Sequence, residues 1–201
     1  TKKDIADAES NFEKDPLQSA ILGFNVMVPE DVHVSKKVKI ITNDIIYRII
    51  EDYETWADKA SKNIEAMKLD TLVRPCRIKI LPGYIFRQSN PAIVGVEITA
   101  GRLKTGMPIM NEEGKKITEV KTIQLDKENV SEADNGKQVA VSFPDVTVGR
   151  QIDEGSILYS AVPEDDFRKI KGLKKYLSKD EIEAIKEIAQ IKRDNNTVWG
   201  V

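Results

Sequence analysis

The sequence predicts a multi-domain chain of mixed α and β structure. It reads as a partial α/β domain, a long linking α-helix, and a β-barrel followed by two C-terminal helices. Three observations carry this. A continuous apolar run, ILGFNVMV at 21–28, has the length and texture of a buried strand. From Asn43 the apolar period becomes helical and holds for about 25 residues. Beyond Asp70, strand-like runs alternate with turn dipeptides until helical periodicity returns at Pro163.

Residues 1–41 form the first piece. Ile5, Ala8 and Phe12 lie close to one face of a short helix, which Asp15-Pro16 breaks. The run at 21–28 reads as a strand buried on both faces, stopped by Pro29, with VKII at 38–41 as a second strand. Two strands and a helix are too few to bury these runs. The piece therefore reads as the second half of an α/β domain continued upstream, or as something docked on the rest of the chain.

Residues 42–70 carry apolar side chains at Ile45, Ile46, Ile49, Ile50, Tyr53, Trp56, Ala57, Ala60, Ile64 and Met67, with charged residues between them. Asn43 is placed to cap the helix, and neither glycine nor proline interrupts it. Such a helix spans roughly 35–40 Å. A core helix and half of a coiled coil fit the same pattern. A rigid spacer between two domains fits better, because no partner helix of that length follows.

Residues 71–162 look all-β. In RPCRIKIL the charged Arg77 and Lys79 alternate with Ile78 and Ile80. Turn signals follow at Pro82-Gly83, Asn90-Pro91, Ala100-Gly101, Thr105-Gly106, Asn111–Gly114, Asn135-Gly136 and Glu154-Gly155. Between them lie YIFRQ, AIVGVEIT, MPIM, KITEVKTIQL, KQVAVSF and SILYSAV. Short strands at this spacing suggest a sandwich or a small closed barrel, and six or seven of them over about ninety residues favour the barrel. Residues 163–201 return to helix. Pro163 and the acids after it suit a helix start, and Ser178-Lys179-Asp180-Glu181 is a capping box opening a second helix. The hairpin packs on the barrel, and Trp199 is expected to dock rather than face water.

Composition narrows the function. The single cysteine, Cys76, excludes an internal disulfide, and with the single histidine, His33, it excludes a Cys/His metal cluster. No phosphate loop, dinucleotide fingerprint or nucleophile elbow is present, so the chain reads as a binder and not an enzyme, with no metal site. A reducing, cytoplasmic setting is expected. Net charge is −2, yet from Thr71 to Thr105 six basic residues (Arg74, Arg77, Lys79, Arg87, Arg102, Lys104) face one acid, Glu97. A local net +5 in a near-neutral chain points to RNA phosphates.

The blocks IVGVEITAGRLKTGMPIM, K-x-x-x-V-K-x-I-Q, NGKQVAVSF and GRQIDEGSILY resemble the β-barrel shared by translational GTPases. The long helix into PGYIFRQSNPAIVGVEI, and the ending EIEAIKEIAQIKRDNN with Trp199-Gly200, are similar to one branch of that group. This is the C-terminal part of the translation initiation factor 5B family of archaea and eukaryotes, relatives of bacterial initiation factor two. The resemblance implies the end of a third domain, a linker helix, and a fourth-domain barrel. In the family this barrel holds the CCA end and methionyl group of initiator tRNA on the ribosome. The two terminal helices, in turn, dock the acidic, apolar C-terminal tail of translation initiation factor 1A. GTP and magnesium belong to the parent protein, whose GTPase domain has no counterpart in this sequence; no cofactor is expected here.

Carried onto this sequence, the RNA-end candidates are Phe86, Arg87, Gln88, Gly95, Gln138, Arg77 and Lys79. Aromatic surface beside a cation, with a glycine permitting close approach, suits unpaired bases and a small aminoacyl group. Phe86 also fits plain barrel core, and Gln138 stands where the bacterial relatives carry an acidic residue. The factor 1A docking candidates are Phe167, Ile170, Leu173, Lys174, Tyr176, Leu177, Ile182, Ile185, Lys186, Ile188 and Trp199. There the apolar stripes supply a floor, and lysines, with Lys171, Lys175 and Lys192 among them, supply a rim. The alternative is a protein-interaction module in which the barrel is only a scaffold.

Overall fold

A computed structural model describes residues 1–28 and 34–201, so Pro29 and His33 lie outside the described residues. The chain divides into two compact units, Thr1–Ala66 and Met67–Val201.

In the first unit, helix α1 (Lys2–Phe12) starts with a Thr1/Asp4 capping box and buries Ile5 and Ala8 against Val38. Strands β1 (Ala20–Phe24) and β2 (Lys39–Asn43) pair in parallel, Ala20 opposite Lys39. Burial on both faces, expected for the apolar run, does not hold: Leu22, Phe24, Val26 and Met27 are exposed. Two strands and one short helix cover one face of so small a sheet and leave the other bare. Helix α2 (Ile46–Asp70) begins three residues after Asn43, whose Oδ1 accepts the Ile45 N–H at 3.1 Å. Its stripe is only partly covered: Ile49 is buried, whereas Ile46 and Ile50 are exposed.

The second unit is built on strands β3 (Cys76–Arg87), β4 (Ala92–Lys104), β5 (Pro108–Met110), β6 (Lys116–Glu119), β7 (Thr122–Leu125), β8 (Glu128–Val130), β9 (Glu132–Asp134), β10 (Gln138–Phe143) and β11 (Ile157–Ser160). They form an antiparallel sheet ordered β6-β5-β11-β3-β4-β10-β7-β8, with β9 added on β4. The run KITEVKTIQL, read as one strand, divides into β6 and β7, yet it acts as the seam. Val120 bonds back to Gly106 and Met107, and Lys121 N–H donates to the Ser142 carbonyl. One edge thus continues into the strand beside β10, and the sheet curls into a barrel. Ile78, Ile80, Val94, Val96, Val141, Phe143 and Leu158 fill it. Cys76 is 1% exposed, and burial pushes its thiol pKa up.

Two glycine signals read as turns are bends inside long strands. Pro82-Gly83 falls where the β3–β4 register shifts between Ile80 and Ile85. Gly101 bends β4 as it passes from β3 to β9. Its φ is +72°, and a Cβ there would lie 2.1 Å from the Pro75 carbonyl oxygen. Barrel strands must coil, and bulges and glycines are how they do it.

Helices α3 (Glu164–Gly172) and α4 (Lys179–Asn195) lie on this barrel. The Ser178/Glu181 capping box forms. Glu181, 3% exposed, also accepts two hydrogen bonds from Arg74, at 2.8 and 2.9 Å. Asp180 accepts the Gly101 N–H at 2.7 Å, Asp166 the Val73 N–H at 2.9 Å, and Lys192 donates to the Gly114 carbonyl at 2.8 Å. Trp199 is buried against Phe167, ring centroids 4.6 Å apart.

Gly101→Ala should lower stability by roughly 2–4 kcal/mol in denaturant titration, combining left-handed strain with a backbone clash. Gly136→Ala, at φ +83° with nothing within 4 Å, should cost only about 1–2 kcal/mol. A second expectation concerns pH. Burial raises the Asp180 pKa, but hydrogen bonds from Ser178 and from the Gly101, Asp180 and Glu181 amides outweigh it, holding it below its ordinary 3.8. A depressed folded pKa stabilises above the unfolded value, and that contribution is lost as pH falls through the folded one. Acid unfolding should therefore steepen below about pH 4, and Asp180→Asn, which keeps an acceptor for Gly101, should flatten that slope.

Candidate ligand pocket and docking groove

Along β4 and β10, Val94, Val96, Val139 and Val141 point into the barrel, so Ile93, Gly95, Gln138 and Ala140 face outward. On β3 the bulge turns Tyr84 and Phe86 to the same outer face, 55% and 62% exposed. These side chains, with Gln124 on β7 and the Asp126-Lys127 hairpin turn, line a pocket of about 520 Å³. Three residues chosen from sequence, Phe86, Gly95 and Gln138, therefore meet. The expectation that Gly95 leaves room for a ligand is refined: a Cβ there would lie 2.7 Å from the Tyr84 Cβ, so the glycine seats Tyr84.

The other candidates fall elsewhere. Arg87 and Gln88 lie just past Phe86, exposed at the end of β3, and the Gln88 carbonyl accepts the Val148 N–H at 2.9 Å. Lys79 is exposed in a cross-strand row with Glu97 and Gln138. Arg77 does not belong with the pocket: its guanidinium pairs with Glu187 on α4 and donates to Thr99 Oγ1 at 3.0 Å.

The same holds for most of the local positive charge. Arg74 pairs with Glu181 and Asp70, Arg102 with Glu132 and Asp134, and Lys104 with Asp70 and Glu132. Of the six basic residues, only Lys79 and Arg87 have no ion pair among the described residues. The +5 stretch is largely neutralised by acids that folding brings from α2, β9 and α4.

Between α3 and α4 runs a second concavity of about 420 Å³. Phe167, Ile170, Leu177, Ile185 and Ala189 make its floor; Lys171, Lys174, Lys186, Gln190 and Arg193 make its rim, with no acid among the lining residues. Ile188 is instead fully buried in the core beneath the helices, and Trp199 stacks on Phe167. Leu173 and Ile182 pack in that core without lining the groove, and Tyr176 lies at the Arg74–Glu181 joint. Lys192 is committed to Gly114, and Lys175 sits over the Tyr176 ring. Among the described residues no group of His, Cys, Asp or Glu is arranged to hold a metal, and no helix is long and apolar enough to cross a membrane.

The family model for elongation factor Tu domain 4 matches residues 74–159, the span from β3 into β11. A probable translation initiation factor IF-2 of Methanopyrus kandleri is 45% identical over 205 residues, covering 100% of this chain and 34% of that protein. One of the same description from Hyperthermus butylicus is 42% identical over 205 residues, with the same coverage. A crystal structure of GDP-bound aIF5B from Aeropyrum pernix superposes with a TM-score of 0.68 at 36% identity, over 100% of this chain and 34% of that one. The chain belongs to the archaeal IF-2/aIF5B family, matching its C-terminal part. It spans about a third of the length of these relatives.

Within that family frame, sequence reasoning missed Tyr84, Gln124, Asp126 and Lys127 in the pocket. Tyr84 was hidden by reading Pro82-Gly83 as a turn. The hairpin carrying Asp126 and Lys127 has no Asn-Gly or Asp-Gly to announce it, although both residues have positive φ, 51° and 71°. In the groove, Ala189, Gln190 and Arg193 were missed, one or two helical turns beyond the groove residues Ile185 and Lys186.

Proposed function

We propose that the barrel pocket binds the aminoacylated 3′ CCA end of initiator methionyl-tRNA on the ribosome, and that the α3–α4 groove docks the C-terminal tail of translation initiation factor 1A. In the parent factor these contacts serve ribosomal subunit joining in the cytoplasm, driven by GTP and magnesium bound in a GTPase domain that is not among these residues. On this reading residues 1–41 complete a third domain, 42–70 link it to the barrel at 71–162, and 163–201 form the docking hairpin.

One observation carries the first proposal: Phe86, Gly95 and Gln138 converge with Tyr84 on a single pocket of about 520 Å³. Its aromatic walls can stack a terminal base or contact a thioether. Gln124 and Gln138 offer amide donors and acceptors to ribose and base edges. Arg87, the residue after Phe86, has no ion pair among the described residues and would be the cation offered to a phosphate. Shielding the ester from water would slow its hydrolysis.

The chain should therefore protect methionyl-tRNA against spontaneous deacylation at mildly alkaline pH. Phe86→Ala should weaken binding at least about fivefold, the order expected for losing one stacking platform, with little change in stability because the ring is exposed. Arg87→Ala should weaken binding less and flatten its salt dependence. Full protection by both variants would remove the pocket from the function.

The groove favours a second reading, in which interaction with protein is the chain's main role and the barrel is scaffold. Its cationic rim over an apolar floor fits an acidic segment bearing isoleucines or leucines. Titration with such a peptide should shift α3 and α4 amide signals saturably. Lys174→Glu with Lys186→Glu should weaken that binding roughly tenfold or more by reversing two rim charges. An unshifted hairpin spectrum in the parent chain would overturn the docking site.

A further inference from the structure

The β7–β8 hairpin turns in two residues, with Leu125 opposite Glu128 and both Asp126 and Lys127 at positive φ. Turn geometry alone does not call for a carboxylate, since glycine or asparagine adopts a φ of 51° at least as readily. Asp126 nevertheless supplies the sole acidic side chain among the described lining residues of the barrel pocket. It enters no ion pair and no side-chain hydrogen bond among the described residues. Gln124, beside it, is turned partly to Asn129, donating from Nε2 at 3.1 Å.

A carboxylate at the rim of an RNA-binding pocket repels phosphate and weakens binding unless the ligand brings a cation to it. An aminoacylated RNA end has one: the α-ammonium of the amino acid. Phosphates are anionic, and bases, ribose, ester and the methionine side chain are neutral. Lys127, the next residue, leaves a cation at the same rim for the phosphate side of the ligand.

We propose that the Asp126 carboxylate receives the free α-ammonium of the bound aminoacyl ester, so that the pocket favours unblocked over N-acylated aminoacyl-RNA ends. This rests on the pocket reading above. It adds a selecting residue and a substrate class, aminoacyl esters with a free amine.

The test compares binding of methionyl-tRNA and N-acetylmethionyl-tRNA to the whole chain and to Asp126→Asn, which suits the left-handed turn and so should leave the fold intact. The parent chain should favour the free amine by roughly three- to tenfold, as expected for a charge-assisted hydrogen bond at an exposed rim. In Asp126→Asn that preference should vanish, with affinity for the acetylated ester kept or raised. Equal binding of both esters by the parent chain overturns the proposal and leaves the pocket reading standing. A preference that survives Asp126→Asn also overturns it, since bulk and not charge would then discriminate. Failure to bind either ester overturns the pocket reading itself.

Discussion

The bidentate pair between Arg74 and Glu181 is the constraint on which the second unit depends. Taking two charges out of water costs several kcal/mol each, and only near-complete hydrogen bonding repays it. Glu181 receives two bonds from Arg74 and one from the Ser178 amide, so the carboxylate that caps α4 also ties it to the start of the barrel. Burial lowers the Arg74 pKa, but the bonds and charges of Glu181 and Asp70 together raise it more, so the guanidinium stays charged throughout the range in which proteins fold. Removing Arg74 would strand the buried Glu181 carboxylate without its cation, a loss of about 3–5 kcal/mol. With that joint set, Asp180 reaches Gly101, Arg77 reaches Glu187, and the far end of α4 latches onto Gly114.

The joint also settles the electrostatics of the barrel. Charge counted along a stretch of sequence ignores acids arriving from elsewhere, and here those acids cancel four cations out of six. What remains for a ligand is sparse: Arg87 near the pocket, Lys79 beside Glu97, and Lys127 on the hairpin turn. The pocket is thus closer to an apolar, amide-lined receptacle than to a phosphate clamp. The α3–α4 groove is the more cationic of the two concavities.

Features set by local chemistry were legible from the residues. Ser178 and Glu181 announced the start of α4, the strand-like apolar run in AIVGVEIT announced a core strand, and the absence of glycine or proline between Ile46 and Asp70 let α2 run unbroken. Features set by curvature were not. Pro82-Gly83 and Ala100-Gly101 have the composition of turns, but they bend strands that must coil round a barrel. A dipeptide cannot say whether the chain reverses or merely bends. The pocket followed the same division. Phe86 and Gly95 were accessible through residue type and the family resemblance, whereas Tyr84 needed the bulge and Asp126 needed a hairpin without its usual glycine. In the first unit, the bare face of β1 followed from counting elements, although the apolar run alone had implied burial on both sides.

The sealed position of Cys76 has a practical side. The chain's lone sulfhydryl is enclosed in the barrel, and burial keeps it protonated, so it offers alkylating and maleimide reagents almost no thiolate. In the folded state the protein behaves as though it contained no cysteine. A single cysteine introduced on an exposed loop would be the one addressable handle for a dye, spin label or cross-linker, with no need to disturb the native residue.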